Sequence, residues 1–167
     1  KRIKLPDGIA HFLEHKMFEN EDGTDTFELF AKTGASANAY TSSDKTVYLF
    51  SAADNVMPSL EILLDFVTHP YFTEKTVQKE QGIIAQEIKM YEDAPDDIVH
   101  DLIARAAFGE HSLAYPILGT EETLASFDSE KLKNYVRDMY TPEKVVVSVA
   151  GNITEEFMQE IESLFGE

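Results

Sequence analysis

Two histidines near the start of the chain lie one helical turn apart, and a glutamate directly precedes the second: His11, Glu14 and His15. If this segment is an α-helix, each residue advances by about 100°, so all three side chains project from one face. Two neutral imidazoles at this spacing can bind a zinc ion, which lowers the pKa of a bound water to about 7. The carboxylate beside them can accept a proton and pass it to a leaving amine. The pattern therefore predicts hydrolytic zinc chemistry.

The alternative interpretation is an ordinary helix whose polar face carries histidines, because pairs with this spacing are common on exposed faces. Here Phe12, Leu13 and Met17 flank the polar cluster instead of lying opposite it. The polar face is therefore expected to be partly buried, and buried His and Glu side chains require partners. The order His-x-x-Glu-His is also one of the metallopeptidase signatures. Both observations favour the metal site.

A third ligand has to come from another element, and because the chain contains no cysteine, it is expected to be a carboxylate. Glu80 and Glu87 lie seven residues apart on a predicted long helix, so both point the same way. They lie among Ile83, Ile84 and Ile88, which is unusual for solvated carboxylates. One of the two would bind zinc, and the other could orient a histidine through its free N–H. A salt-bridged structural pair is the alternative.

Apolar residues at helical spacing predict that most of the chain is helical. The first predicted helix has Asp7 as a possible N-cap, and Gly34 stops the second. The predicted helices span residues 7–18, 26–32, 56–69, 74–94, 96–108, 120–126, 129–139 and 154–165.

Three segments are predicted to be strands. Residues 35–42 and 45–52 are rich in small, β-branched and aromatic residues around the polar turn Ser42–Lys45. The dense β-branched run 144–152 predicts a buried strand. The expected fold class is α/β or α+β, with a mixed or antiparallel sheet of at least three strands packed against several helices. Because three strands are few for so many helices, further strands are expected from a preceding segment or a partner.

Composition excludes several classes of function. The 167 residues are enough for one domain with a hydrophobic core, so 1–167 is expected to form a single domain. The net charge of −17 argues against a nucleic-acid-binding surface, which needs a basic stripe. No run approaches the roughly 18 apolar residues of a membrane span, and no signal-peptide pattern is visible. A cytoplasmic location in a bacterium is the default expectation.

Five blocks, in order along the chain, resemble the pitrilysin or insulinase family of zinc peptidases, the inverzincins, which includes mitochondrial processing peptidase. The similarity covers essentially the whole chain, and bacterial processing-protease-like members resemble it most. The blocks are GIAHFLEH, GASANAYTSSDKTVYLF, KEQGIIAQEIKMYEDAPDD, HSLAYPILGTEETLASF and YTPEKVVVSVAGNI.

The resemblance implies a role for each matched residue. His11 and His15 match the two histidine ligands of Zn²⁺, and Glu14 matches the general base. Glu87 matches the third ligand, and Glu80 matches the supporting carboxylate upstream of it. Three further residues match the edge strand that pairs with substrate backbone by β-augmentation: Asn38, Ala39 and Tyr40.

The resemblance also implies a division of the active site. Family members have a strand or two before the histidine helix and a second homologous half, which contributes an Arg/Tyr pair that binds substrate. Nothing in 1–167 matches that pair. The chain is therefore expected to be the N-terminal catalytic half of a zinc-dependent endopeptidase that acts on extended peptides with a homologous half or partner subunit. The alternatives are a catalytically incomplete peptide-binding or assembly subunit and, less favoured, a structural zinc site, which usually has four protein ligands.

Overall fold

Helices dominate the structure, a computed structural model that describes residues 5–165. Eight α-helices and one two-stranded sheet occur in this range, and two short 3₁₀ turns, Ser112–Ala114 and Pro142–Lys144, connect elements. The elements are α1 (Ile9–Met17), α2 (Thr26–Thr33), β1 (Ser36–Thr41), β2 (Thr46–Ser51), α3 (Val56–Thr68), α4 (Glu74–Glu92), α5 (Pro95–Phe108), α6 (Glu121–Ala125), α7 (Ser129–Met139) and α8 (Glu155–Phe165). Every predicted helix is confirmed to within a few residues. None of the helices in this range is long and apolar enough to cross a membrane.

The two strands form the hairpin that the sequence predicts. β1 and β2 pair antiparallel, from Ser36 opposite Ser51 to Thr41 opposite Thr46. The amide of Ser42 donates to the carbonyl of Lys45 at 2.8 Å and closes the turn. Exposure alternates along β1, so one face of the strand is directed toward the interior and the other toward solvent.

The prediction of at least three strands was wrong. The run 144–152 forms no strand, and its valines are exposed, with Val146 at 90%. A β-branched sequence meets the side-chain preference of a buried strand, but a strand also needs a neighbour that accepts and donates its backbone hydrogen bonds. Among residues 5–165, the one sheet is the β1–β2 hairpin, so no strand there pairs with this run.

The predicted N-cap of α1 was also wrong. Gly8, not Asp7, occupies this position, with φ at +88° and no side-chain hydrogen bond to the helix. A Cβ atom at Gly8 would lie 2.4 Å from the carbonyl oxygen of Leu118. The chain therefore needs glycine here both for the left-handed backbone and for close contact with the segment before α6.

The described chain divides into two compact units that meet in sequence between Val136 and Arg137. The core of the first unit is made by side chains from α1, α2, α4 and α7 that are almost completely buried. They are Phe12, Leu13, Met17, Phe30, Val77, Ile84 and Leu132. Each such side chain contributes about 1.5–3 kcal/mol through burial. The second unit contains α8, whose Ile161 is buried.

Candidate metal centre

The apolar residues of α1 fix the direction of its polar face. Phe12, Leu13 and Met17 are buried in the core, as their positions beside the polar cluster predict. The rings of His11 and His15 consequently lie next to each other, with centroids 4.6 Å apart. His11 is only 8% exposed. The alternative interpretation, an ordinary helix with histidines on a solvent-exposed face, therefore does not describe α1.

Helix α4 supplies the carboxylates. Oε1 of Glu87 lies 3.8 Å from Nε2 of His11, and its Oε2 lies 3.6 Å from Nε2 of His15. The Glu87 carboxylate thus faces the Nε2 atom of each imidazole. Within residues 5–165, these three side chains are the one group that could hold a metal ion, with ligand atoms all within 4.8 Å of one another.

The donor set fits zinc. Two imidazoles and one carboxylate are a ligand set of catalytic zinc sites, and tetrahedral coordination at about 2.0–2.1 Å would place ligand atoms roughly 3.3 Å apart. Nδ1 of His11 is buried and has no hydrogen-bond partner among residues 5–165. Burial, and secondarily the nearby His15, lower the pKa of His11 to about 4, so this ring is neutral at neutral pH. A neutral imidazole has the free lone pair that metal ligation requires.

The second carboxylate of α4 contacts the other nitrogen of His15. Oε1 of Glu80 lies 3.0 Å from Nδ1 of His15, and this hydrogen bond is the main reason why the pKa of His15 is raised. When Nδ1–H donates to Glu80, the lone pair of Nε2 faces Glu87. Glu80 and Glu87 therefore share one face of α4, as predicted. Of the isoleucines near them, Ile84 is buried but Ile83 is 44% exposed, so the apolar surroundings are less complete than expected.

Glu14 has a partner that sequence reasoning did not find. The hydroxyl of Thr41 donates to Oε2 of Glu14 at 2.5 Å. Partial burial raises the pKa of Glu14, and the hydrogen bond from Thr41 opposes that shift. Thr41 directly follows the residues singled out as a substrate strand. The alternation of side chains along β1 places Thr41 on the same face as Ala39. The sequence does not show that α1 packs against this face, so the contact with Glu14 could not be predicted.

The predicted substrate strand is accessible. The side chains of Asn38 and Tyr40 lie on the exposed face of β1, while Ala39 lies on the inner face. β2 pairs with one edge of β1, and no other strand within the described range pairs with β1. The amide of Ala39 donates to the side-chain oxygen of Asn38 at 2.9 Å. A peptide that paired with Ala39 would have to displace this contact.

A short segment, residues 119–127, contacts both helices of the centre. We call it the brace. On the α1 side, a Cβ at Gly119 would lie 2.5 Å from the carbonyl oxygen of Asp7, and the ring of Phe127 meets that of Phe12 edge-on at 5.3 Å. On the α4 side, the Gln81 amide donates to the carbonyls of Leu124 and Phe127, at 3.1 and 2.9 Å. The brace thus helps to set the spacing between the two helices.

Comparison with known proteins identifies the family. The model of the insulinase family, peptidase family M16, matches residues 4–121, and the model of the peptidase M16 inactive domain matches residues 126–167. A protease from Helicobacter pylori has the same fold, with a TM-score of 0.85 at 21% identity over 96% of this chain and 40% of that one.

Two relatives illustrate the similarity in sequence. The uncharacterized zinc protease YmxG of Bacillus subtilis is 48% identical over 96% of this chain and 40% of its own length. A probable mitochondrial-processing peptidase subunit beta of Schizosaccharomyces pombe is 34% identical over 96% of this chain and 36% of its own length. The chain thus spans about two fifths of the length of these relatives. It belongs to the insulinase family, peptidase family M16.

Proposed function

We propose that residues 1–167 belong to the N-terminal catalytic half of a zinc-dependent endopeptidase that cleaves extended peptides. The observation that carries this proposal is the convergence of His11, His15 and Glu87 from two helices, with Glu14 on the same helix as the histidines. The names of the relatives, which are zinc proteases and a processing peptidase, support the same class of reaction.

Each side chain has a distinct part in this proposal. His11, His15 and Glu87 would hold the metal, and Glu80 would keep His15 in the orientation that the hydrogen bond defines. Zinc, when bound, supplies a Lewis acid that polarises the peptide carbonyl and activates water. Glu14 accepts the proton of the attacking water and delivers it to the departing amine.

The peptide would be bound as an additional strand on β1. Asn38, Ala39 and Tyr40 offer an edge whose backbone groups can hydrogen-bond an extended peptide. A second homologous half, or a partner subunit, would complete the substrate-binding surface. The relatives are more than twice as long as this chain, which supports such an arrangement. A bacterial cytoplasmic location stays a prediction.

Peptide cleavage and zinc analysis of the same preparations test this proposal. The full-length protein and the chain alone are assayed with a peptide library, with Glu14→Gln beside wild type. Replacing Glu14 removes the proton acceptor, so turnover is expected to fall by about 10²- to 10⁴-fold while one zinc remains bound. Glu61→Gln, an exposed position on α3, is the matched control and is expected to behave as wild type.

Two outcomes would contradict the proposal in different ways. If zinc binds and Glu14→Gln leaves turnover unchanged, the assigned base is wrong. If no metal binds and His11→Ala has no effect, the chain is instead a peptide-binding or assembly subunit that keeps the fold.

A further inference from the structure

Thr41 connects the exposed hairpin to the acidic side chain of α1. Its hydroxyl donates to Oε2 of Glu14 at 2.5 Å and lies 3.3 Å from the hydroxyl of Thr46, directly opposite on β2. A threonine hydroxyl has one hydrogen to donate. Because the hydrogen of Thr41 is directed to Glu14, the Thr46 hydroxyl can donate to Thr41. The three groups form a chain of hydrogen bonds that ends on the carboxylate.

This contact restricts a side chain that would otherwise be adaptable. A glutamate has several rotatable bonds, whereas the β-branched Thr41 is stiff at χ1 and belongs to a paired strand. A hydrogen bond to a charged carboxylate is stronger than one between neutral groups. Within residues 5–165, the Glu14 carboxylate accepts no other hydrogen bond. Thr41 is therefore the contact that defines where the two oxygens of Glu14 lie.

The location of Thr41 on β1 gives the contact a second consequence. Thr41 follows Asn38, Ala39 and Tyr40 on the same strand, with its side chain on the inner face and their edge open. A peptide added to this edge would thus lie on the strand whose Thr41 hydroxyl donates to the Glu14 carboxylate. Because Glu14 belongs to α1, this hydrogen bond links the strand to the helix that carries the histidines.

We infer that Thr41 is the positioning residue for Glu14: it fixes Oε2, leaves Oε1 to exchange the proton, and ties the base to the strand that binds the peptide. This inference rests on the proposed function. In the reaction, the proton moves from the attacking water to Oε1 and then to the nitrogen of the broken peptide bond, while Oε2 keeps its hydrogen bond to Thr41.

The test compares Thr41→Val, which keeps the shape and removes the hydroxyl, with Thr41→Ser, which keeps the hydroxyl. In the full-length protein, Thr41→Val is expected to lower kcat by about 10-fold or more, since a hydrogen bond to a charged group is lost. KM, zinc affinity and the midpoint of thermal unfolding are expected to stay close to wild type. Thr41→Ser is expected to restore kcat, and the exposed Thr68→Val on α3 serves as the matched control.

A measurement without turnover separates this inference from the proposed function. NMR couplings of the Glu14 methylene groups in the zinc-loaded chain are expected to show one rotamer in wild type and Thr41→Ser, and averaging in Thr41→Val. Averaged couplings in wild type would overturn the inference, as would an unchanged kcat in Thr41→Val. A parallel loss of zinc and stability would show a merely structural role. A wild-type protein without Glu14-dependent turnover would refute the proposed function, and the rotamers would still decide whether Thr41 positions Glu14.

Discussion

At the scale of single residues, the two histidines of α1 differ in the contacts of their Nδ1 atoms. Nδ1 of His15 contacts Glu80, whereas the buried Nδ1 of His11 has no hydrogen-bond partner in the described part of the chain. The pKa values shift in opposite directions: the Glu80 hydrogen bond raises the pKa of His15, and burial, followed by the nearby His15, lowers the pKa of His11. Glu87 lies near Nε2 of both rings, so the Glu80 hydrogen bond at Nδ1 is the contact that distinguishes His15 from His11.

Replacing Glu80 by alanine is expected to weaken zinc binding by about 10- to 100-fold, because a partner of this kind fixes the ligand ring and raises its basicity. Competition with a chromophoric chelator measures the affinity. Glu92→Ala removes the same charge from an exposed position at the end of α4 and is the matched control. If the two variants bind zinc with equal affinity, the hydrogen bond between His15 and Glu80 does not contribute to zinc binding.

At the scale of elements, the candidate metal centre depends on the spacing between α1 and α4, and the brace contacts both helices. Gly119 allows the close approach on the α1 side, and both carbonyls that accept from Gln81 belong to the brace. Small residues and backbone contacts leave little room for adjustment here. The centre should consequently be sensitive to changes in the brace, although no brace residue is among the proposed ligands.

Gly119→Ala is expected to lower the free energy of unfolding by about 2 kcal/mol more than Gly34→Ala, and to weaken zinc binding as well. Both glycines have φ at +79°, but a Cβ at Gly119 would lie 2.5 Å from a backbone oxygen while that at Gly34 meets open space. Comparing the two variants thus separates the cost of steric contact with the backbone of Asp7 from the cost of the left-handed conformation. Urea unfolding measures the difference, and similar losses for both variants would refute the role of the brace.

The site was more predictable than its surroundings. Spacing on one helix placed His11, Glu14 and His15 together, and the seven-residue interval placed Glu80 and Glu87 on one face, because helical geometry is local. The structure brings these side chains together. Zinc binding by them stays a prediction. Thr41 was not found, since its contact with Glu14 joins residues far apart in sequence through the packing of a hairpin on a helix.

At the scale of the whole molecule, apolar surface is unevenly distributed. In the first unit Val77 is completely buried, although Leu102 and Ile103 of α5 are exposed, and in the second unit the run 144–152 leaves its valines exposed. Val77 and Val146 therefore have opposite environments although they are the same residue type. Local sequence could not distinguish them, because burial depends on what packs against a segment and not on the segment alone.

In this chain, Val146→Lys is expected to change the free energy of unfolding by no more than about 0.5 kcal/mol, since the side chain is 90% exposed. Val77→Lys, the same substitution at a fully buried position of α4, is expected to cost more than about 3 kcal/mol because it buries a charge. Chemical denaturation of both variants measures this. A large loss for Val146→Lys would show that the run is buried after all.

The sequence by itself determined the helices, the β1–β2 hairpin, the residue types of the candidate metal centre and the family to which the chain belongs. These depend on spacing within single segments, where a few residues suffice to define the geometry. Only the tertiary structure decided that Glu80 contacts Nδ1 of His15 while Glu87 faces Nε2, that Thr41 holds Glu14, and that the run 144–152 is unpaired. Such contacts depend on distances between elements, which the packing of many distant side chains sets together.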